Sequence, residues 1–152
     1  MDKPDSIYAI FIAATPQQVW ALLNDSAACP DWFFGNRIEI GDAPGDPYRV
    51  FRPDGGMDVD GKVLEMEAGR RLLVSWVMPD MPIRPGDDRV EFVLEEKMEG
   101  LTRLAVQEYL SAPLPEKWIE AAREGWSLIL SGLKTMLETG KPLPRLEMHP
   151  PE

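Results

Sequence analysis

Between Arg37 and Leu110 the chain writes the same pattern six times. RIEI (37–40), YRVFR (48–52), MDVDGKVLEMEA (57–68), RLLVSWVM (71–78), RVEFVLEEK (89–97) and LTRLAVQEYL (101–110) each lean on β-branched and aromatic residues with a period near two. Turn residues separate them: GDAPGDP, PDGG, Gly69-Arg70, PDMPIRPGDD and Met98-Glu99-Gly100. Strands joined by short loops pair as antiparallel neighbours, because a parallel crossover needs a dozen or more residues. Six strands in succession therefore predict a meander, and IYAIFIAA (7–14) predicts one more strand ahead of it.

Two short helical pieces fill the gap between the first strand and the meander. Thr15-Pro16 supplies an N-cap and a proline at the first helical position, and QQVWALLN follows with Val19, Trp20, Leu22 and Leu23 at helical spacing. SAACPDWFF (26–34) predicts a second piece that is broken around Pro30 and stopped by Gly35 and Asn36.

The last element runs from about Pro115 to Thr139. At about 100° per residue its apolar side chains, from Trp118 to Leu137, fall in one arc roughly 200° wide. A surface helix ordinarily shows a stripe of about 100° or a little more, so this helix is expected to be gripped by a curved sheet. Gly125 and Gly132 lie one heptad apart on the flank of that arc. Each costs a helix interior about 1 kcal/mol relative to alanine. Either they permit close approach to a strand, or they leave empty volume beside the helix for a ligand.

Composition narrows the function. The chain has 152 residues, 44% hydrophobic and 28% charged, which suits one soluble globular domain. Its net charge is −10, a poor match to phosphate backbones and anionic membranes, so no nucleic-acid partner is expected. No apolar run is long enough for a membrane span, and the N-terminus lacks the basic and apolar regions of a signal peptide. The expected location is the cytoplasm. One cysteine, Cys29, excludes an internal disulfide. With a single histidine, His149, far from Cys29 in the chain, no metal site of the usual ligand types and no cofactor is expected. A Ser-His-Asp arrangement would have to use His149, in a proline-rich tail expected to be frayed. Phosphate-loop, dinucleotide and zinc-protease signatures are absent from the sequence.

The order strand, two short helices, meander and long C-terminal helix resembles the helix-grip fold of the START-like superfamily, also called SRPBCC. TPQQVWALLND (15–25), CPDWFF (29–34), GKVLEMEAGRRLLVSW (61–76), LTRL (101–104) and EGWSLILSGLKTMLE (124–138) look like its branch named for the activator of heat shock protein 90 ATPase. The resemblance covers about residues 6–140. It implies an α+β domain over 1–140 with a flexible tail over 141–152, and a deep apolar cavity between sheet and helix. Members bind lipids, hormones or other hydrophobic molecules, and some cyclise polyketides. The chaperone activator carries a further N-terminal domain for chaperone contact, for which this chain has no room before its first strand; a chaperone-associated interaction module with a chaperone partner is an alternative to ligand binding. A homodimer is open.

Within that frame the expected ligand-binding residues are Trp32, Phe33, Trp76, Met78, Phe92, Glu108, Trp126 and Ile129. Leu72, Val74, Trp76 and Met78 share one strand face, and plain core packing is the alternative for each. Trp20 and Trp118 default to the core. Glu108 shares a face with Thr102, Leu104, Val106 and Leu110. If that face is inward, the carboxyl needs a partner or a raised pKa, and it becomes a candidate for ligand recognition or acid–base work in a cyclase or hydrolase; otherwise it reaches water at the strand end. Glu65 poses the same question, since Val63 on its own face competes with Leu64 and Met66 for the interior. The loop 79–88 is either a stiffened lid with Arg84 as an anion contact or a solvated loop. Asp58/Asp60 and Glu95/Glu96 are expected on solvated faces.

Overall fold

The computed structural model describes residues 3–147, 150 and 151. Strand β1 (Ser6–Ile12) is followed by helices α1 (Pro16–Leu23) and α2 (Cys29–Trp32). Strands β2 (Arg37–Ile40), β3 (Pro47–Phe51), β4 (Met57–Glu67), β5 (Arg71–Ser75), β6 (Arg89–Met98) and β7 (Leu101–Tyr109) come next, and helix α3 (Glu116–Thr139) closes the fold. All seven strands form one antiparallel sheet in the order β1-β7-β6-β5-β4-β3-β2. The meander accounts for β2 to β7, and β1 returns to pair with β7, Ser6 opposite Glu108 and Ile12 opposite Thr102. This is the α+β helix-grip architecture: a curved open sheet holding a long C-terminal helix.

Local chemistry explains the element ends. Thr15 caps α1 with a capping box: its hydroxyl accepts from the Gln18 amide at 3.2 Å, and the Gln18 side chain accepts from the Thr15 amide at 2.9 Å. Helix α3 ends where Gly140 takes the left-handed conformation, φ 74°, and returns its amide to Met136. The fifth strand ends at Ser75 instead of Met78, because the chain leaves regular pairing at Trp76 to enter the loop 79–88.

Sheet register settles the ambiguous faces. A bulge in β4 between Val63 and Glu65 opposes an extra residue to β5. Val63 is therefore fully buried, Leu64 is exposed, and Met66 packs against the core beyond the bulge. Glu65 lies on the outer face and pairs with Arg71 at 2.8 Å, so it does not enter the interior. On β7, Thr102, Leu104, Val106 and Glu108 are all buried on the concave side.

Helix α3 lies in that concavity. Trp118, Trp126, Ile129, Leu130, Gly132 and Leu133 are buried, while the flanks of the apolar arc, such as Ile119 and Leu128, are half-buried. Gly132 permits a close approach, though to a helix and not to a strand: a Cβ there would lie 2.5 Å from the Trp32 carbonyl oxygen of α2. Among the described residues no helix is long and apolar enough to cross a membrane.

Candidate functional site

A cavity opens between α3, the loop after α2, and the ends of β5, β6 and β7. Its empty volume is about 900 Å³, including space open to solvent at the mouth.

One wall is aromatic and its placement begins with a glycine. A Cβ at Gly61 of β4 would overlap the Ser75 carbonyl oxygen, so only glycine lets β4 close on the end of β5 there. Lys62 N then donates to Ser75 Oγ at 2.9 Å, Asp60 N to the Val77 carbonyl at 2.7 Å, and Trp76 N to the Asp88 carbonyl at 2.7 Å. The backbone around Trp76 is thus held from both sides. Its ring packs 5.2 Å from Trp126 and 5.9 Å from Tyr48, and Phe92 meets the far side of Trp126 edge-on at 5.9 Å.

The turn after α2 supplies another part of the lining. The Phe33 amide donates to the Cys29 carbonyl at 2.8 Å, and the chain then turns through Phe34 at φ 54° and Gly35 at φ 84°. A left-handed phenylalanine is strained. The turn leaves Phe33 lining the cavity and returns the chain into β2.

Glu108 is the polar centre. It is 8% exposed, and its carboxylate accepts from Ser6 Oγ at 2.6 Å through Oε1 and from Trp126 Nε1 at 3.3 Å through Oε2. The Tyr8 phenol is held above its ordinary pKa, first by burial and second by the Glu108 charge.

The rim carries further charges that are already matched. Arg52 pairs with Asp58 at 3.4 Å and with Asp80 at 2.9 Å. Burial raises the Asp58 carboxyl above the usual range, with Arg52 opposing the shift. Asp58 therefore lines the cavity and does not sit on a solvated face, whereas Asp60 is exposed and pairs with Arg49 at 3.1 Å. Glu95 and Glu96 are exposed as expected. The loop 79–88 overhangs the mouth through Met81. Arg84 donates through its two Nη groups to the carbonyls of Ala112 and Pro113 and to Asp88, with which it also forms an ion pair. Asp88 in turn accepts from Ser111 N at 2.8 Å. The loop is therefore pinned to the β7–α3 connection.

Of the residues singled out from the sequence, Phe33, Trp76, Met78, Glu108, Trp126 and Ile129 line the cavity. Trp32 and Phe92 stand behind it in the core, Trp32 against Phe33 at a ring distance of 5.2 Å and Phe92 against Trp126. The Trp32 indole N–H is buried with no acceptor among the described residues. Gly125, Trp118, Arg52, Asp58 and Met81 line the cavity as well. Of these, Trp118 and Gly125 were visible as helix-arc residues; nothing in the strand pattern marks Arg52 or Asp58. Pro150 and Pro151 also border the cavity, and Arg145 Nη2 donates to the Pro30 carbonyl at 3.4 Å. His149 lies outside the described residues.

Comparison with known proteins agrees with this architecture. The family described as activator of Hsp90 ATPase homolog 1-like protein matches residues 13–138. No curated protein matches the chain. Among solved structures, the Aha1 dimer from Colwellia psychrerythraea superposes with a TM-score of 0.73 at 23% identity, covering 89% of this chain and 96% of that one. CalU16 from Micromonospora echinospora gives 0.69 at 25% identity, covering 91% and 76%. Protein MLL2253 from Mesorhizobium loti gives 0.72 at 21% identity, covering 88% and 97%. With the family match spanning most of the domain and these folds superposing along nearly all of it, the chain belongs to the activator of Hsp90 ATPase homolog 1-like family.

Proposed function

We propose that this chain binds a small hydrophobic molecule in the cavity between α3 and the sheet. The observation that carries the reading is the cavity itself: a space lined by Phe33, Trp76, Trp126 and Ile129, with the buried carboxylate of Glu108 among them. Few convergent polar groups in a largely apolar concavity are the usual make-up of a ligand site. Burial is the driving force. A ligand that loses about 300 Å² of apolar surface gains about 7 kcal/mol before the costs of ordering. Apolar contact alone therefore supports binding no tighter than about micromolar. Glu108 supplies the polar anchor that orients the ligand and tightens binding beyond that level.

The test is native mass spectrometry of protein purified from its own host, followed by solvent extraction and identification of what is released. A stoichiometric apolar compound supports the reading. Protein that arrives empty and captures nothing from a library of hydrophobic compounds overturns it.

A further inference from the structure

We infer that the ligand of this cavity carries a protonated amine on its apolar body, with the ammonium group seated on Glu108. The inference rests on the binding reading above and names the class of molecule. Its starting point is a charge left unmatched. Among the described residues, every other charged group lining the cavity is engaged within the protein: Arg52 with Asp58 and Asp80, Asp88 with Arg84, and Arg89 over the Tyr109 ring at 4.9 Å. Glu108 is as deeply buried as these, yet its hydrogen-bond donors, Ser6 Oγ and Trp126 Nε1, and the Tyr8 phenol beside it are all neutral. Of the described lysines and arginines none lies within ion-pairing distance of it.

Two hydrogen bonds leave a carboxylate with lone pairs to spare and its charge uncompensated. A hydroxyl entering the cavity satisfies a lone pair only. An ammonium group satisfies the lone pair and the charge together, and charge-assisted hydrogen bonds are the stronger ones. The aromatic wall favours the same head group. Trp76 and Trp126, ring centroids 5.2 Å apart, border the space beside Glu108, and indole faces attract cations. The net charge of −10 draws cations toward the mouth and repels anionic ligands such as fatty carboxylates.

The experiment is calorimetric titration with three ligands of one skeleton: 2-(1-naphthyl)ethylamine, 2-(1-naphthyl)ethanol and 1-naphthylacetate. On the wild-type chain the amine binds at least about tenfold tighter than the alcohol, and the carboxylate binds weakest. In Glu108→Gln the amine loses its advantage while the alcohol still binds, which also shows that the variant is folded. Should that variant fail to fold, the order of the three ligands on the wild-type chain decides the matter. Alcohol binding at least as tightly as the amine overturns the ammonium assignment and leaves the cavity reading standing. An amine preference that survives in folded Glu108→Gln overturns it too. If none of the three binds, the cavity reading falls and the assignment falls with it.

Discussion

Trp126 donates its indole N–H to Glu108 at 3.3 Å, tying the middle of α3 to the end of β7 across the cavity wall. The same ring packs on Trp76 and Phe92, so one side chain joins the helix, the aromatic wall and the buried carboxylate of Glu108. Trp126→Phe keeps an aromatic ring but takes the indole donor away from Glu108. The expected loss is about 1–3 kcal/mol, read from urea unfolding. Unchanged stability would show that the bond carries no weight.

Gly132→Ala sets helix propensity against packing. Propensity alone favours the alanine by up to about 1 kcal/mol. Its methyl group, however, would sit 2.5 Å from the backbone oxygen of Trp32, which cannot swing aside as a flexible side chain does. Overpacking of this kind costs about 1–3 kcal/mol, so a net destabilisation is expected in thermal or urea unfolding. A stabilised variant would mean that α2 and α3 are not in backbone contact.

Arg84→Ala releases the loop 79–88 from the β7–α3 connection. Asp88, 5% exposed, keeps its Ser111 donors but loses its cation. Leaving a buried acceptor under-satisfied costs about 1–3 kcal/mol. Limited proteolysis is expected to cut the variant within 79–88 well before the wild type; equal cleavage times would contradict the pinning role.

Cys29 offers a pH-dependent test. The thiol is fully buried, and burial pushes its pKa up to about 12 from an ordinary value of 9.0. The folded state thus favours the protonated thiol. Its contribution to stability is complete below pH 9 and is lost as pH rises from there toward 12, at about 1.4 kcal/mol per pH unit. Cys29→Ala lacks this term. The stability gap between wild type and variant is expected to shrink by about 1.4 kcal/mol between pH 8 and pH 10. A gap that stays constant would show that Cys29 is not buried as a thiol.

Legibility in the sequence followed the range of the interactions. The seven strands and α3 declare themselves through period and turn chemistry, which are local, and their order carries the resemblance that implies the helix-grip architecture. On β7 the period grouped Glu108 with Thr102, Leu104, Val106 and Leu110, but which way that face turns is decided by the packing of the sheet and was not legible. Faces were not legible on β4 either, where the bulge after Val63 exchanges them without any residue that announces it. Helix α2 has four residues, too few to show a face, so Trp32 and Phe33 were equivalent in the sequence although only Phe33 reaches the cavity. Asp58 read as part of an acidic strand face because its partner, Arg52, lies on another segment brought close by folding. The two glycines of α3 were rightly conspicuous, but their roles separate only in three dimensions: Gly132 meets α2, and Gly125 borders the cavity.

The central claim is that a ligand sits among Trp76, Trp118 and Trp126, and the indole N–H signals of the five tryptophans report on it directly. The measurement is a nitrogen–proton correlation spectrum of labelled protein titrated with 2-(1-naphthyl)ethanol, with each indole assigned by single Trp→Phe substitution. The account expects saturable shifts at Trp76, Trp118 and Trp126, which line the cavity, and a still signal from Trp20 on α1, which does not. Saturable binding that moves Trp20 and leaves Trp76 and Trp126 in place would contradict it.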